Sequence, residues 1–374
     1  MKRVVAVGMF DSIHFANWLE KFTDQPVEFY LFPSGPHRRV HARLIELAQS
    51  TGIANYLLPK NSKILGFPLW LLERIIGPVL RHRLLRKLVN LKNPDYVHAL
   101  ELQHAGYQLD AALKGLPDFA GVFVATNYGS DIFWFQHFRR HRRKIEALLT
   151  RVNRYFAECQ RDLDLAVNFG FEGELMAPLP NSFNLPTQKN SSHEGDRRDI
   201  IVVKGYHGWA GQAKIALNAL AGMAPRLRNY QVVVYSCNFA TVVECFKLLV
   251  VRRFRTRIYL KGALSHQSLL SIFSRSVLHL ALSKTDGLST ATLEAMALGA
   301  IPVQSASSCA TDLFENRGVV VDVNRLAEVE KAIETALRLA SSSTAGKENK
   351  EKLAKLFAPE KLKAHALSAY DLKY

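Results

Sequence analysis

The sequence predicts an α/β chain of two domains, each a parallel sheet flanked by helices. Three observations carry this expectation. Short runs rich in valine and isoleucine alternate with helix-length segments. The alternation stops in a polar stretch, Leu185–Asp199, and then restarts. The 374 residues, 48% hydrophobic and 22% charged, exceed what one ordinary core accommodates and exclude a disordered chain or a small disulfide scaffold.

In chain order, Val4–Val7, Val27–Phe32, Tyr96–His98 and Val122–Ala125 read as strands, with helices over Phe15–Phe22 and Arg39–Gln49. The opening Met1-Lys2-Arg3-Val4-Val5-Ala6-Val7-Gly8 is too short an apolar run for a secretory leader, and Asp11 and His14 follow at once. Leu185–Asp199, with Pro186, Ser191, Ser192 and Gly195, reads as a linker. Beyond it, Ile200–Val203, Gln231–Tyr235, Arg257–Leu260, Val277–Leu282, Ile301–Gln304 and Gly318–Val321 read as strands, and Ala213–Ala221 and Thr290–Leu298 have helical spacing. Lys347–Tyr374 reads as helical and charged, broken at Pro359. The expected domains are 1–184 and 200–356, joined by 185–199 and followed by a terminal helix, 357–374.

No run of about 18 uncharged apolar residues is present, so no membrane-spanning helix is expected. The net charge of +16 asks for an anionic partner. Lys60–Lys92 carries eight Lys or Arg against one acid, Glu73, interleaved with Phe67, Trp70 and many leucines and isoleucines. That composition suits an anionic lipid interface, and equally a helical pair packed on the core. Arg139, Arg140, Arg142, Arg143 and Lys144 form a second basic cluster. The four cysteines, Cys159, Cys237, Cys245 and Cys309, include no Cys-x-x-Cys pair and read as buried reduced thiols, which suits the cytoplasm.

The chemistry concentrates in Ser283–Val303, which opens directly after an apolar strand. Gly287 permits a tight turn, Ser289 or Thr290 can cap the helix that follows, and the helix start is suited to a diphosphate. Asp286 precedes this helix and Glu294 lies about one turn inside it, two carboxylates suited to accepting hydrogen bonds from sugar hydroxyls.

Asp286, seven residues, then Glu294-Ala-Met-Ala-Leu-Gly299-Ala-Ile-Pro302-Val303 resembles the signature of the retaining GT-B glycosyltransferases, in particular glycosyltransferase family 4. Asp286 stands where most members have Glu. The resemblance implies a GT-B fold, two Rossmann-like domains facing across a cleft, with the acceptor on the first and a nucleotide sugar on the second. It implies donor contacts at Lys204, Gly205, Lys261, Gly262, Gly287, Leu288, Ser289 and Thr290, and catalytic roles for Asp286, Glu294 and His14. Ser12, Glu101, Tyr128 and Asp131 would lie on the acceptor side. Tyr128 stands where many members have a histidine, and Gln212 where related sequences carry Arg. Lys214 is a second candidate for the phosphates, and the terminal helix is expected to cross back to the first domain.

Asp162-Leu163-Asp164 matches a metal-binding Asp-x-Asp pattern, but residues two apart do not share a helix face. The pairs His37/His41 and His137/His141 lack the acid of a metal motif, and no P-loop or dinucleotide fingerprint is present. The expected function is therefore a retaining, metal-independent hexosyltransferase, with no cofactor. It would move a sugar from a UDP- or GDP-linked donor to a glycan or lipid-linked acceptor, in bacterial surface polysaccharide or lipopolysaccharide synthesis. It would be cytoplasmic, or peripheral at the inner membrane face through Lys60–Lys92. The alternatives are a GT-B sugar-nucleotide epimerase, a silent GT-B scaffold, and a basic nucleic-acid-binding protein, against which stands the lack of a readout motif.

Overall fold

A computed structural model describes residues 1–35, 40–50, 78–186, 198–342 and 344–373. Most of the linker, residues 60–77 of Lys60–Lys92 and His37 lie outside them. The chain divides into two compact units, one comprising Met1–Asn184 with Pro359–Tyr374, the other Leu185–Ala358.

The first unit holds a six-stranded parallel sheet: β1 (Lys2–Gly8), β2 (Val27–Pro33), β3 (Tyr96–Leu100), β4 (Val122–Thr126), β5 (Arg154–Phe156) and β6 (Glu174–Leu175), in the order β2-β1-β3-β4-β5-β6. Successive residues of β1 serve two cores. Val5 and Val7 pack with Val97, Phe123 and Leu148 on one face, and Val4 and Ala6 with Phe29, Trp18 and Phe156 on the other. A sheet covered on both faces needs continuous apolar strands, which is why these runs stand out in the sequence.

The second unit repeats the plan with β7 (Ile200–Lys204), β8 (Gln231–Cys237), β9 (Arg255–Leu260), β10 (Ser276–Ala281), β11 (Ile301–Ser305) and β12 (Val319–Val321), ordered β12-β11-β10-β7-β8-β9. All six are parallel. From β7 the chain moves outward through β8 and β9, then returns to the other side of β7 for β10. The order therefore reverses between β7 and β10, and in the first unit between β1 and β3. Open α/β sheets bind ligands beyond the carboxyl ends of the strands at such a reversal.

The helix Ala345–Leu356 ends before Pro359, which opens the helix Pro359–Ser368. This helix and the segment after it belong to the first unit. Tyr370 is fully buried, with its hydroxyl 2.7 Å from His98 Nδ1 and its ring against Phe22, Phe29 and Tyr96. Asp371 pairs with Arg154 at 2.7 Å and accepts from the Tyr96 hydroxyl at 2.6 Å. Cys237 and Cys245 are buried and free.

Candidate functional site

In the second unit, the site grows from the carboxyl ends of β7 and β10. Lys204 closes β7, and its ammonium lies 3.6 Å from Asp286 Oδ2 in the loop after β10. Both side chains are part-exposed, at 32% and 21%. Two groups 82 positions apart meet because their strands are neighbours.

Backbone and serine contacts hold the loop. The Gln212 N–H donates to Leu282 O at 2.9 Å, and Lys284 N–H to Ala210 O at 2.8 Å. The hydroxyls of Ser305 and Ser307 donate to Ser283 O, and that of Ser308 to Gly287 O. Ser305 ends β11 and Ser307 and Ser308 follow it, and the sequence singled out none of the three. A Cβ on Gly205 would come within 2.5 Å of Cys237 Sγ and 2.8 Å of Tyr235 O, so the turn after β7 needs glycine there. Gly262 sits at φ +81°, open to solvent, while Gly287 stays outside the left-handed region.

The helix Thr290–Ala297 starts at this loop. Ser289 takes the N-cap position, but its hydroxyl makes no capping bond and is buried without a partner. This corrects the expectation that a hydroxyl caps this helix. The first-turn N–H groups keep no intrahelical acceptor and face the loop with the positive end of the dipole. Beneath the helix lies a buried layer: His279 contacts the Tyr235 hydroxyl at 3.1 Å and the Thr292 hydroxyl at 3.5 Å. Burial, then nearby Lys204, pulls the His279 pKa down to about 3, so this layer is neutral.

Glu294 is buried and its Oε1 lies 2.7 Å from His266 Nε2. The carboxylate raises the His266 pKa, against the effect of burial. The sequence reading missed His266, which sits 28 positions upstream at the start of the helix His266–Ser274. Lys214, the other phosphate candidate, pairs with Glu244 at 3.4 Å. Lys261 ends β9's register through its N–H bond to Cys237 O at 3.0 Å. Tyr206 and Trp209 project from the loop after β7, 36% and 49% exposed.

At the equivalent reversal of the first unit the chemistry is different. Glu101 directly follows β3 with φ 125° and ψ 151°, a region that residues with a Cβ rarely occupy. Its carboxyl is buried, Oε1 has no partner, and burial pushes its pKa up to about 7, with the Asp11 charge adding to the rise. Asp131 Oδ2 accepts from Leu102 N–H at 2.9 Å and Tyr128 N–H at 3.1 Å, tying the loop after β4 to the turn after β3. Burial and the Glu101 charge raise the Asp131 pKa well above the carboxylate range, opposed by those two donors. His14 shares a 2.7 Å hydrogen bond with the Ser182 hydroxyl, and its ring lies 6.0 Å from that of Tyr128. The Ser12 hydroxyl accepts from His14 N–H at 3.2 Å and caps the helix Ile13–Glu20.

Asp162 and Asp164 do not converge. Asp162 is fully buried against Arg161 and Asn127, while Asp164 takes Gln160. His141 contacts the Tyr107 hydroxyl.

No family model and no curated protein matches the chain. Solved structures do. Sucrose-phosphate synthase from Thermosynechococcus elongatus is 12% identical, with a TM-score of 0.70 over 99% of this chain and 98% of that one. Anabaena Alr3699/HepE, in complex with UDP-glucose, is 13% identical, with a TM-score of 0.70 over 98% and 99%. A structure from Listeria monocytogenes, provisionally named a UDP-N-acetylglucosamine 2-epimerase, is 11% identical with a TM-score of 0.60 over 95% and 96%. At these identities the likeness shows the fold, which is GT-B.

Proposed function

We propose that the chain is a glycosyltransferase that moves a sugar from a nucleoside diphosphate to a hydroxyl of a glycan or lipid-linked acceptor. The observation that carries this reading is the convergence of Lys204, Asp286 and the uncapped start of Thr290–Ala297 at the β7/β10 reversal. Lys204 and the helix N–H groups offset the charge that develops on the departing diphosphate. Asp286 orients hydroxyls of the donor sugar, and Glu294, steadied by His266, accepts from the ribose hydroxyls. The bond from the anomeric carbon to phosphate oxygen breaks, and a bond to the acceptor oxygen forms on the same face, with retention. The acceptor's proton passes to the departing phosphate oxygen. This scheme assigns charge neutralisation to the protein and needs no metal. Gly205, Gly262, Gly287, Leu288, Ser289 and Thr290 are assigned to the donor, and Ser12, His14, Glu101, Tyr128 and Asp131 to the acceptor side. The UDP-glucose held by Alr3699/HepE favours a uridine donor.

The same proposal places the protein at the cytoplasmic membrane face, in surface polysaccharide assembly. Among the described residues no helix is long and apolar enough to cross a membrane. Support comes from the helix Arg139–Leu149, which begins with a run of cations at the positive end of its own dipole and has no acid in its first turn. Arg139/Arg143 and Arg140/Lys144 are like-charged i, i+4 pairs. Each arrangement costs stability unless an anion lies opposite. Phe138, at the head of this helix, is 47% exposed beside them.

The test is transfer from UDP- and GDP-sugars to extracted glycolipid. Asp286→Ala should abolish product while the protein stays folded; full transfer by that variant would sink the assigned role. Release of free UDP without an acceptor would move the reading to an epimerase.

A further inference from the structure

The opposite end of the second unit's sheet holds a separate feature. At the amino ends of β7, β10 and β11, a cavity of about 460 Å³ opens beside the helices Leu326–Ser341 and Ala345–Leu356. That volume lies in the range of small-molecule sites. Val277, Ile301 and Leu337 give it an apolar floor, and its charged lining is Arg198, Lys347 and Lys350. No carboxylate lines it among the described residues.

Arg198 sets this cavity apart from an incidental groove. Its guanidinium donates to Ser276 O at 2.9 Å and to Leu298 O, which fixes it at the cavity wall. Burial lowers its pKa, with no acid offsetting the loss of hydration. Among the described residues its partners are carbonyl oxygens and no acid, so the guanidinium charge is left for an anion that enters the cavity. The packing is built around this residue. A Cβ on Gly299, which sits at φ +90°, would come within 2.8 Å of an Arg198 nitrogen, and one on Gly346 within 2.6 Å of Gly299 O. Two glycines thus let the helix Ala345–Leu356 approach the arginine closely. Lys347 and Lys350, three apart, lie on one face of that helix. Among the described residues Lys347 has a long 3.8 Å contact to Glu351.

We propose that this cavity binds a small phosphorylated molecule with an apolar body, the phosphate on Arg198, Lys347 and Lys350 and the body on Val277, Ile301 and Leu337. The site lies at the other end of the strands from Asp286 and does not depend on the transferase reading.

The probes are hexyl phosphate, inorganic phosphate and hexanol, titrated calorimetrically into the full chain. Hexyl phosphate should bind saturably and about tenfold tighter than inorganic phosphate, which corresponds to burial of two methylenes. Hexanol should not bind. The charge-reversing pair Lys347→Glu/Lys350→Glu, on exposed positions, should abolish binding. Ser341→Trp, which fills the mouth without changing charge, should weaken hexyl phosphate at least as much as phosphate. Lys204→Met, at the far end of the sheet, should leave hexyl phosphate affinity unchanged. The proposal is overturned if hexyl phosphate fails to bind the wild type, if Lys347→Glu/Lys350→Glu binds it equally well, or if only Lys204→Met loses it.

Discussion

The two sheets share one plan, yet their reversal points carry opposite chemistry. At β7/β10 the groups on offer are an ammonium, free N–H groups and hydroxyls, with two carboxylates, each held against a partner: Asp286 against Lys204 and Glu294 against His266. At β1/β3 they are buried carboxyls and aromatic rings: Glu101, Asp131, Tyr128 and His14. The first set suits a ligand that arrives negatively charged. The second suits one rich in hydroxyls, because carboxyls and imidazole accept and donate hydrogen bonds without needing a counter-charge. One fold reaches both by changing the residues that follow the strands and leaving the strands alone.

The largest expected effect comes from erasing the charge on the donor side. Lys204→Met should lower kcat by about 10²–10³-fold, the scale for removing one group that stabilises a developing anion. Glu101→Gln in the other unit should leave nucleotide affinity unchanged. If Lys204→Met and Glu101→Gln weaken UDP binding equally, the division of chemistry between the units fails.

The second effect is a pH-dependent stability confined to the first unit. The folded-state pKa of Glu101, about 7, lies above the ordinary 4.5 of an exposed carboxyl. Between those values the folded protein keeps a proton that the unfolded chain has released, so stability falls as pH rises through this window. The whole penalty, about 3 kcal/mol at most, is present above pH 7. Glu101→Gln should melt with the wild type at about pH 4 and above it at about pH 8. A constant difference at both pH values would contradict the burial argument.

The smallest effect belongs to His266, whose pKa rises above 6.5 because Glu294 accepts its hydrogen bond. Its contribution is complete below about pH 6.5 and is lost as pH rises through the folded-state value. The side chain is 52% exposed, so the gain is small, roughly 0.5 kcal/mol. Thermal melts of His266→Gln should fall slightly short of wild type at about pH 6 and coincide at about pH 9. A larger deficit at high pH would mean that the imidazole packs rather than pairs.

The comparison also shows what a sequence exposes. Ten of the twelve strands were legible, most of them because burial on both faces leaves an unbroken apolar run, as in Val122–Thr126 and Ile200–Lys204, although Arg255–Leu260 has no buried residue. The other two, Arg154–Phe156 and Glu174–Leu175, are three and two residues long, and both residues of the latter are exposed. Asp286 and Glu294 could be named from local pattern and Lys204 from the family resemblance, but the pairing of Lys204 with Asp286 could not, since it depends on which strands are neighbours. His266 and the serines Ser305, Ser307 and Ser308 were invisible for the same reason. Glu101 was named for its place after a strand, while its positive φ and its raised pKa arise only once the turn at Leu102–Gly106 has formed. The Ser289 hydroxyl illustrates the converse: a residue with strong capping propensity, at the capping position, leaves the helix start open.

The most direct test of the account is a thermal-shift panel of UDP, GDP, ADP and CMP, with and without EDTA, on the wild type and Lys204→Met. A ligand that binds only the folded state raises the midpoint. The account predicts a rise with one nucleoside diphosphate that EDTA leaves intact and that Lys204→Met reduces. A rise that vanishes in EDTA, or one that Lys204→Met leaves unchanged, would contradict a donor site built from Lys204 and the start of Thr290–Ala297.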